Sequence, residues 1–324
     1  MSALLQVENA RVRFRVHSTL QALFRGVSDP CIDAVRDASF SIDEGETFAL
    51  VGESGSGKST LALAVAGLLP AAEGSIRFEG AEVTTMDTAA LKTYRRHIAF
   101  MWQNPVGSLS PRLSVGALIT EPYRIHRERE RDLKAESARL LKMVGLPPEF
   151  AARYPHQLSG GQARRVGVAR ALALDPKLII ADEPTAGLDV SVQGEILNLL
   201  NRLRSDLGVC MFVITHNLNV VRHISDRTAI MYLGRFVEQG PTDDIFARPR
   251  HPYTLALLSA NPEPDPDAVL ERIELKGEIP SLRDRPAGCE FHTRCPFVGD
   301  ACRQTFPPLH TVSAAHALTC HFPR

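Results

Sequence analysis

The segment Gly52-Glu-Ser-Gly-Ser-Gly-Lys58-Ser59 constrains this chain more than any other, because glycines, a lysine and a hydroxyl at these spacings describe a phosphate-binding loop. Its surroundings supply the context that such a motif needs. The run Phe48-Ala-Leu-Val before it is short and apolar and lies between Gly45 and Gly52, which predicts a strand buried on both faces of a parallel sheet. A helix is expected from Lys58 to about Leu69, where Pro70 stops it. Between the two, Gly52, Gly55 and Gly57 let the backbone around Ser54 and Ser56 wrap tightly. Successive N–H groups then point at phosphate oxygens, and the helix dipole adds attraction. Lys58 is expected to reach the β- and γ-phosphates, Ser59 to ligate magnesium and Thr60 to touch the α-phosphate. A chance glycine-rich turn is the competing reading, and the flanking strand and helix weigh against it.

The rest of the chain reads as α/β. Residues 3–14 alternate apolar and polar and carry Val7, Val12 and Phe14, which suits an early strand at a sheet edge, and Val35 to Ile42 repeats the pattern. Residues 130–144 place Leu133, Leu140, Leu141 and Val144 at helical spacings among charges, which predicts an amphipathic helix in a helical subdomain at about 104–175. Leu178-Ile-Ile-Ala and Val209-Cys-Met-Phe-Val-Ile have strand lengths, and a helical pattern at about 192–206 separates them, as in a β-α-β unit. At 324 residues the chain is longer than one core usually needs. The three prolines of Asn261-Pro-Glu-Pro-Asp-Pro mark the expected boundary between a domain at 1–262 and a small module at 263–324.

Two carboxylates, Asp182 and Glu183, end the run Leu178-Ile-Ile-Ala, at the strand terminus where open α/β sheets bind ligands. Asp182 can hold magnesium through water, and Glu183 can orient or deprotonate an attacking water. A bland acidic turn before Pro184 is the alternative, and the phosphate loop argues against it. His216 ends the next apolar strand, where a sensor of the γ-phosphate fits and a structural histidine is the competing reading.

Lysine plus arginine equals aspartate plus glutamate at 37 each, so no excess charge favours nucleic acid and anion binding must come from local architecture. The beginning of the sequence lacks a basic region followed by a sustained apolar run, which argues against export. No stretch approaches the ~20 apolar residues of a membrane-spanning helix, so partners are expected to hold the protein at any membrane where it works. Of six cysteines, Cys31 and Cys210 stand alone, read as a loop thiol and a small core residue, while Cys289, Cys295, Cys302 and Cys320 crowd the end. Four clustered thiols in a reducing compartment suggest a metal or redox group.

Leu158-Ser159-Gly160-Gly161-Gln162 resembles the signature motif of ABC ATPases. Its chemistry is again that of an anion site, with Ser159 able to cap a helix whose first N–H groups the glycines expose. The resemblance implies a P-loop ATPase in which this motif binds the γ-phosphate of ATP held by an opposite subunit. By position, Gln103 in Met-Trp-Gln-Asn-Pro resembles the glutamine loop that touches magnesium and couples to membrane subunits, and Asp189 in Ala186-Gly-Leu-Asp189 the loop linking opposed sites. Glu183 and His216 resemble the catalytic carboxylate and switch histidine, and Phe14 takes the place of the aromatic ring stacked under adenine, with Phe24 as a second candidate.

Within that family, Gly52-Glu-Ser-Gly-Ser-Gly, Tyr154-Pro-His-Gln-Leu-Ser and His251-Pro-Tyr-Thr-Leu-Ala-Leu-Leu resemble the oligopeptide and dipeptide importers. Gln162, the insertion after Phe14 and Gly277-Glu-Ile-Pro280 resemble the second, F-type ATPase subunit. Such a subunit implies a paralogous ATPase partner, two membrane-spanning permease subunits and an external solute-binding protein, at the cytoplasmic face of a bacterial inner membrane. Related systems carry peptides, nickel, opines or glutathione. The competing functions are a soluble ABC protein of repair or translation, which would need a second ATPase domain or long coiled coils, and a non-catalytic regulatory subunit, against which intact Lys58, Asp182, Glu183 and His216 weigh.

The tail reads Cys289-x5-Cys295-x6-Cys302-x17-Cys320. Some importer ATPases hold a 4Fe-4S cluster on four such thiolates, which the resemblance therefore implies here. Zinc also suits four thiolates, with His292, His310, His316 and His321 as substitutes, and a tail without metal is the third reading.

Overall fold

A computed structural model describes residues 3–16, 31–128, 130–261 and 273–324. The expectations for Phe24 and for the prolines after Asn261 lie outside the described residues. The chain divides into two units: one built on Ile42–Thr47 and Thr85–Ile214, the other on Leu5–Ser41, Phe48–Thr84 and Thr215–Arg324.

In the first unit three strands run parallel in the order β8 (Cys210–Thr215), β7 (Leu178–Asp182), β6 (Ile98–Met101). Their register sets Ile180 beside Phe212 on one side and Phe100 on the other. Every residue of β7 and β8 is buried, as their unbroken apolar runs predict. Parallel neighbours need a crossover, and the helix Val190–Leu207 makes it from β7 to β8, burying Ile196, Leu199, Leu200 and Leu203 along one stripe. The helical part contains Val115–Ile125, Leu133–Met143 and Gly160–Ala171, of which the first packs on both others. The predicted amphipathic helix is Leu133–Met143, begun by Asp132, whose side chain accepts from the Lys134 and Ala135 N–H groups.

The second unit contains a sheet in the order β2 (Cys31–Asp43), β1 (Ala3–Arg15), β4 (Glu73–Phe78), β5 (Ala81–Glu82). The sequence reading put β1 at an edge. Here it lies between β2 and β4, and β2 is outermost. Alternation reports that one face of a strand is buried, which an inner strand of a one-sided sheet satisfies equally well. The unit also contains β3 (Thr47–Val51), parallel to β9 (Arg227–Tyr232), followed by antiparallel β10 (Arg235–Pro241), β12 (His316–Thr319) and β11 (Leu309–Ser313). The end of the chain thus extends the sheet that carries the phosphate loop. Beneath it lies a core of Val51, Ile230, Tyr232, Val237, Tyr253 and Phe291, with Cys289 and Cys295 packed against it.

The helix after the phosphate loop is shorter than expected, Lys58–Val65. Gly67 has φ +65°, which reverses the chain into the left-handed region before Pro70 is reached.

Candidate nucleotide site

The phosphate loop leaves β3 and enters the helix Lys58–Val65 through Gly57, whose φ of +103° and ψ of 0° suit glycine alone. A β-carbon there would lie 2.4 Å from the Ala34 carbonyl oxygen. No side chain caps this helix, and its first turn carries no acid, so its leading N–H groups are left for an anion. Lys58 is 8% exposed and folds back over the loop, donating to the carbonyl oxygens of Gly52 at 2.7 Å and Glu53 at 2.8 Å and to Ser56 Oγ at 3.3 Å. Its ammonium therefore sits at the mouth of its own cradle. Ser54, Gly55 and Ser59 are exposed, and Thr60 is half-buried. The same unit holds Phe14, on β1 and 39% exposed, and His216, exposed just after β8. Asn217, next in the chain, caps the helix Leu218–Ile224.

The remaining predicted residues belong to the first unit. Asp182 ends β7, and Glu183 follows it with φ +50°, its N–H donating to the Ile214 carbonyl at 2.8 Å. Both carboxylates are mostly buried, at 9% and 8% exposed. Ser159 begins the helix Gly160–Ala171 as expected: its Oγ accepts from the Gln162 N–H, and Gln162 Oε1 accepts from the Ser159 N–H. Gly160 is exposed, and Gly161 touches Val192 so closely that a β-carbon would come within 2.8 Å of it. Asp189 is the cap of Val190–Leu207, accepting from Val192 N–H and Ser191 Oγ, and these bonds hold its carboxyl below the usual range. Gln103 is exposed beyond β6.

The sequence reading missed the residue that joins these pieces. Arg164, 1% exposed on the signature helix, donates to the carbonyl oxygens of Trp102 (3.3 Å), Gln103 (3.2 Å) and Ala186 (3.1 Å). Burial pulls its pKa down and the nearby Glu183 carboxylate opposes that pull. One guanidinium thus fixes the glutamine loop, the chain after Glu183 and the signature helix to one another. The only hint in the sequence is a basic residue at position 164 between the apolar positions Ala163 and Val166 of that helix. Nearby, Phe100, Trp102, Ile125, Arg164 and Arg170 line a cleft of 210 Å³. Trp102 and Ile125 are 47% and 57% exposed there.

The tail corrects an expectation. Cys289, Cys295, Cys302 and Cys320 do converge, lining one small cavity with His292 and His321. Among the described residues, however, no group of three or more Cys, His, Asp or Glu is arranged to hold a metal ion, so neither the 4Fe-4S nor the zinc reading is supported. The chemistry of the lining explains this. Phe291, Phe297 and Phe322 share the cavity, and burial, reinforced by the neighbouring thiols, pushes Cys289 up to about 12 and Cys320 to about 11. Metal ligation needs thiolates, and burial opposes forming them at Cys289, Cys295 and Cys320. Three of the four histidines have partners: His292 and His321 hydrogen-bond the carbonyls of Cys289 and Thr305, and His316 the buried Glu238, while His310 lies on β11 and does not line the cavity. Of the single cysteines, Cys210 is the expected core residue, its thiol donating to the Asp43 carbonyl at 3.2 Å, and Cys31 opens β2 half-buried.

Residues 35–186 match the ABC transporter family, and residues 237–302 match the oligopeptide/dipeptide transporter C-terminal region. A probable peptide ABC transporter ATP-binding protein of Sinorhizobium fredii is 45% identical over 98% of this chain and 90% of its own length. The oligopeptide transport ATP-binding proteins OppF of Salmonella typhimurium and AppF of Bacillus subtilis are each 42% identical over 98% of this chain, and over 95% and 97% of theirs. A dimeric ATP-binding cassette in a post-hydrolysis state, bound to ADP and phosphate, superposes with a TM-score of 0.64 at 30% identity, covering 74% of this chain and 98% of its own. With a fold, a phosphate loop and a tail that all match, this chain belongs to the ATP-binding subunits of the oligopeptide/dipeptide ABC transporters.

Proposed function

We propose that this chain binds and hydrolyses ATP to energise ABC import of peptides or related small solutes. The observation that carries it is the helix N-terminus behind Gly57, which no side chain caps, with the Lys58 ammonium held over the loop at its mouth. The named relatives are peptide transport ATP-binding proteins, which speaks against a soluble ATPase of repair or translation.

In this reading the N–H groups from Ser54 to Thr60 hold the triphosphate and Phe14 stacks on adenine. Ser59, Gln103 and, through water, Asp182 would hold magnesium, which when bound neutralises charge on the β- and γ-oxygens. Glu183 orients the attacking water and takes its proton, and His216 senses the γ-phosphate. Ser159, Gly160, Gly161 and Gln162 complete the site of a second ATPase subunit, and Asp189 lies at that junction. We take the second subunit to be a paralogue of this one. The cleft beside Gln103 suits the permease pair, because it offers exposed Trp102 and Ile125 to an apolar partner, and Arg164 ties the Trp102–Gln103 segment to Ala186, three residues after Glu183. No helix among the described residues is long and apolar enough to cross a membrane, so docking on permeases would hold the chain at the cytoplasmic face of the inner membrane, where an external binding protein delivers the solute. We read the chain as a nucleotide-binding domain at 1–262, with a helical part at about 104–175, and a C-terminal module at 263–324; the transporter C-terminal match, residues 237–302, begins before that boundary and crosses it.

Glu183→Gln tests the proposal. ATP affinity should stay at the parent level, while turnover falls about a thousandfold, the scale of a lost general base. A variant that keeps a tenth of parental turnover would remove Glu183 from the chemistry.

A further inference from the structure

The phosphate loop contains a carboxylate that phosphate binding does not use. Glu53 lies between Gly52 and Ser54, and an unpaired negative charge there would oppose a triphosphate. Every polar group of this residue is held. Its carbonyl accepts from Lys58 Nζ at 2.8 Å, its N–H donates to Tyr253 Oη at 3.1 Å, and its carboxylate takes both arms of Arg294, from Nη1 at 2.8 Å and Nη2 at 3.2 Å. Two of these three holders come from the far end of the sequence. Tyr253 belongs to the helix Pro252–Ser259, and Arg294 precedes Cys295 in the thiol cluster.

Arg294 is firmly seated. Its side chain is 8% exposed, with the guanidinium 5.9 Å from the Tyr232 ring centre, and Tyr232 packs edge-on against both Tyr253 and Phe291. The turn that carries it is closed by the His292 N–H donating to the Cys289 carbonyl and the Arg294 N–H donating to the Phe291 carbonyl. Cys289, Phe291 and Cys295 also line the thiol cavity, so the wall of that cavity sets where the guanidinium stands.

We propose that Arg294 is a positioning residue for ATP binding: it cancels the charge of Glu53 and fixes the phosphate loop, which makes the four-cysteine tail part of the nucleotide site. The proposal rests on the reading that residues 52–59 hold ATP. A bidentate guanidinium fork does this better than a point charge, because it fixes the direction of the carboxylate as well as neutralising it.

The test compares ATP binding and steady-state ATPase kinetics of the full chain and its variants. Arg294→Ala should raise KM for ATP about tenfold and change kcat less than about twofold. The defect should shrink at high salt, because it arises from an uncovered charge that ions screen. Adding Glu53→Gln to Arg294→Ala should restore most of the affinity. Glu53→Gln alone should lower KM, since it leaves a guanidinium beside the phosphates, and this variant remains informative where Arg294→Ala does not fold. Arg294→Lys should fall between parent and Ala. Lys58→Ala is measured alongside: if it leaves ATP binding unchanged, the reading of the loop itself fails. If Lys58→Ala loses ATP while Arg294→Ala leaves KM unchanged, or Glu53→Gln brings no relief, the role given to Arg294 is wrong.

Discussion

Two helices of this chain begin at residues expected to meet phosphate, and they begin in different ways. The helix Lys58–Val65 starts from a glycine with no side-chain cap, while Gly160–Ala171 starts from a capping box in which Ser159 and Gln162 satisfy each other's N–H groups. The first N-terminus is open and kept so by backbone geometry; the second supplies its own partners. An open N-terminus costs stability unless a ligand arrives, whereas a capped one holds its shape alone and leaves only the donors of Gly160 and Gly161 to another molecule. The difference matches the proposed roles. In that proposal the loop grips nucleotide by itself, and the helix Gly160–Ala171, already folded, meets nucleotide brought on a second subunit.

The largest expected effect on ATP affinity comes from closing the open terminus. In Gly57→Ala the added carbon meets the Ala34 carbonyl oxygen at 2.4 Å, and the backbone must also hold φ +103°, which an L side chain rarely adopts. Relief of that strain rotates the loop and its leading N–H groups. ATP affinity should fall at least about a hundredfold, or about 2.7 kcal/mol, by nucleotide titration. Parental affinity in Gly57→Ala would show that the open geometry is not what binds.

How far could the sequence be read? The open terminus was legible, because its requirements are local: glycines where the backbone must turn, a lysine one step later and a buried strand before them. The buried strands β7 and β8 and the cap at Ser159 were legible for the same reason, although the return bond from Gln162 was not read. What escaped depends on distant partners. Arg164 meets Trp102 and Gln103 from 62 and 61 residues away, and Arg294 meets Glu53 from 241, so no window of sequence contains both halves of either contact. The placement of β1 inside its sheet was equally out of reach, because alternation identifies a buried face and carries no information on how many neighbours a strand has. The tail shows the converse error. Four clustered cysteines suggested a metal, but the surrounding phenylalanines, which lie among them only after folding, bury Cys289 and Cys320 and oppose the thiolates that a metal would need.

A third helix N-terminus sharpens the comparison. His251 begins Pro252–Ser259 and caps it through a ring nitrogen, Nδ1 accepting from the Tyr253 N–H at 3.1 Å. This gives the motif His251-Pro-Tyr a physical basis: an acceptor cap, a residue with no N–H to satisfy, and the tyrosine whose hydroxyl receives the Glu53 N–H. The cap works only as a neutral ring, and full burial pulls His251 from 6.5 down to about 3. Because the folded pKa lies below the unfolded one, the stability that depends on this ring is complete above about 6.5 and is lost as the pH falls from there toward about 3. Unfolding free energy should drop by up to about 1.4 kcal/mol per pH unit in that window. His251→Asn keeps an acceptor without the titration and should flatten the slope in denaturant melts at pH 4 to 7. An unchanged slope would place the acid sensitivity elsewhere.

The smallest effect separates the two jobs of Ser159. Ser159→Ala removes the Oγ that accepts from the Gln162 N–H at 3.3 Å and should cost about 1 kcal/mol of stability, the usual value of an N-cap. ATP affinity of the phosphate loop should not change, since the loop belongs to another helix, while turnover of the assembled ATPase pair should fall severalfold. Ser159→Asp resolves the cause. Aspartate caps as well as serine, so thermal stability should return to the parental value, but its charge would lie where the γ-phosphate of the opposite subunit is proposed to bind. Turnover should therefore fall further in Ser159→Asp than in Ser159→Ala even though the helix is sounder. Recovery of both stability and turnover would mean that Ser159 only caps, and that the second N-terminus is structural where the first is a binding site.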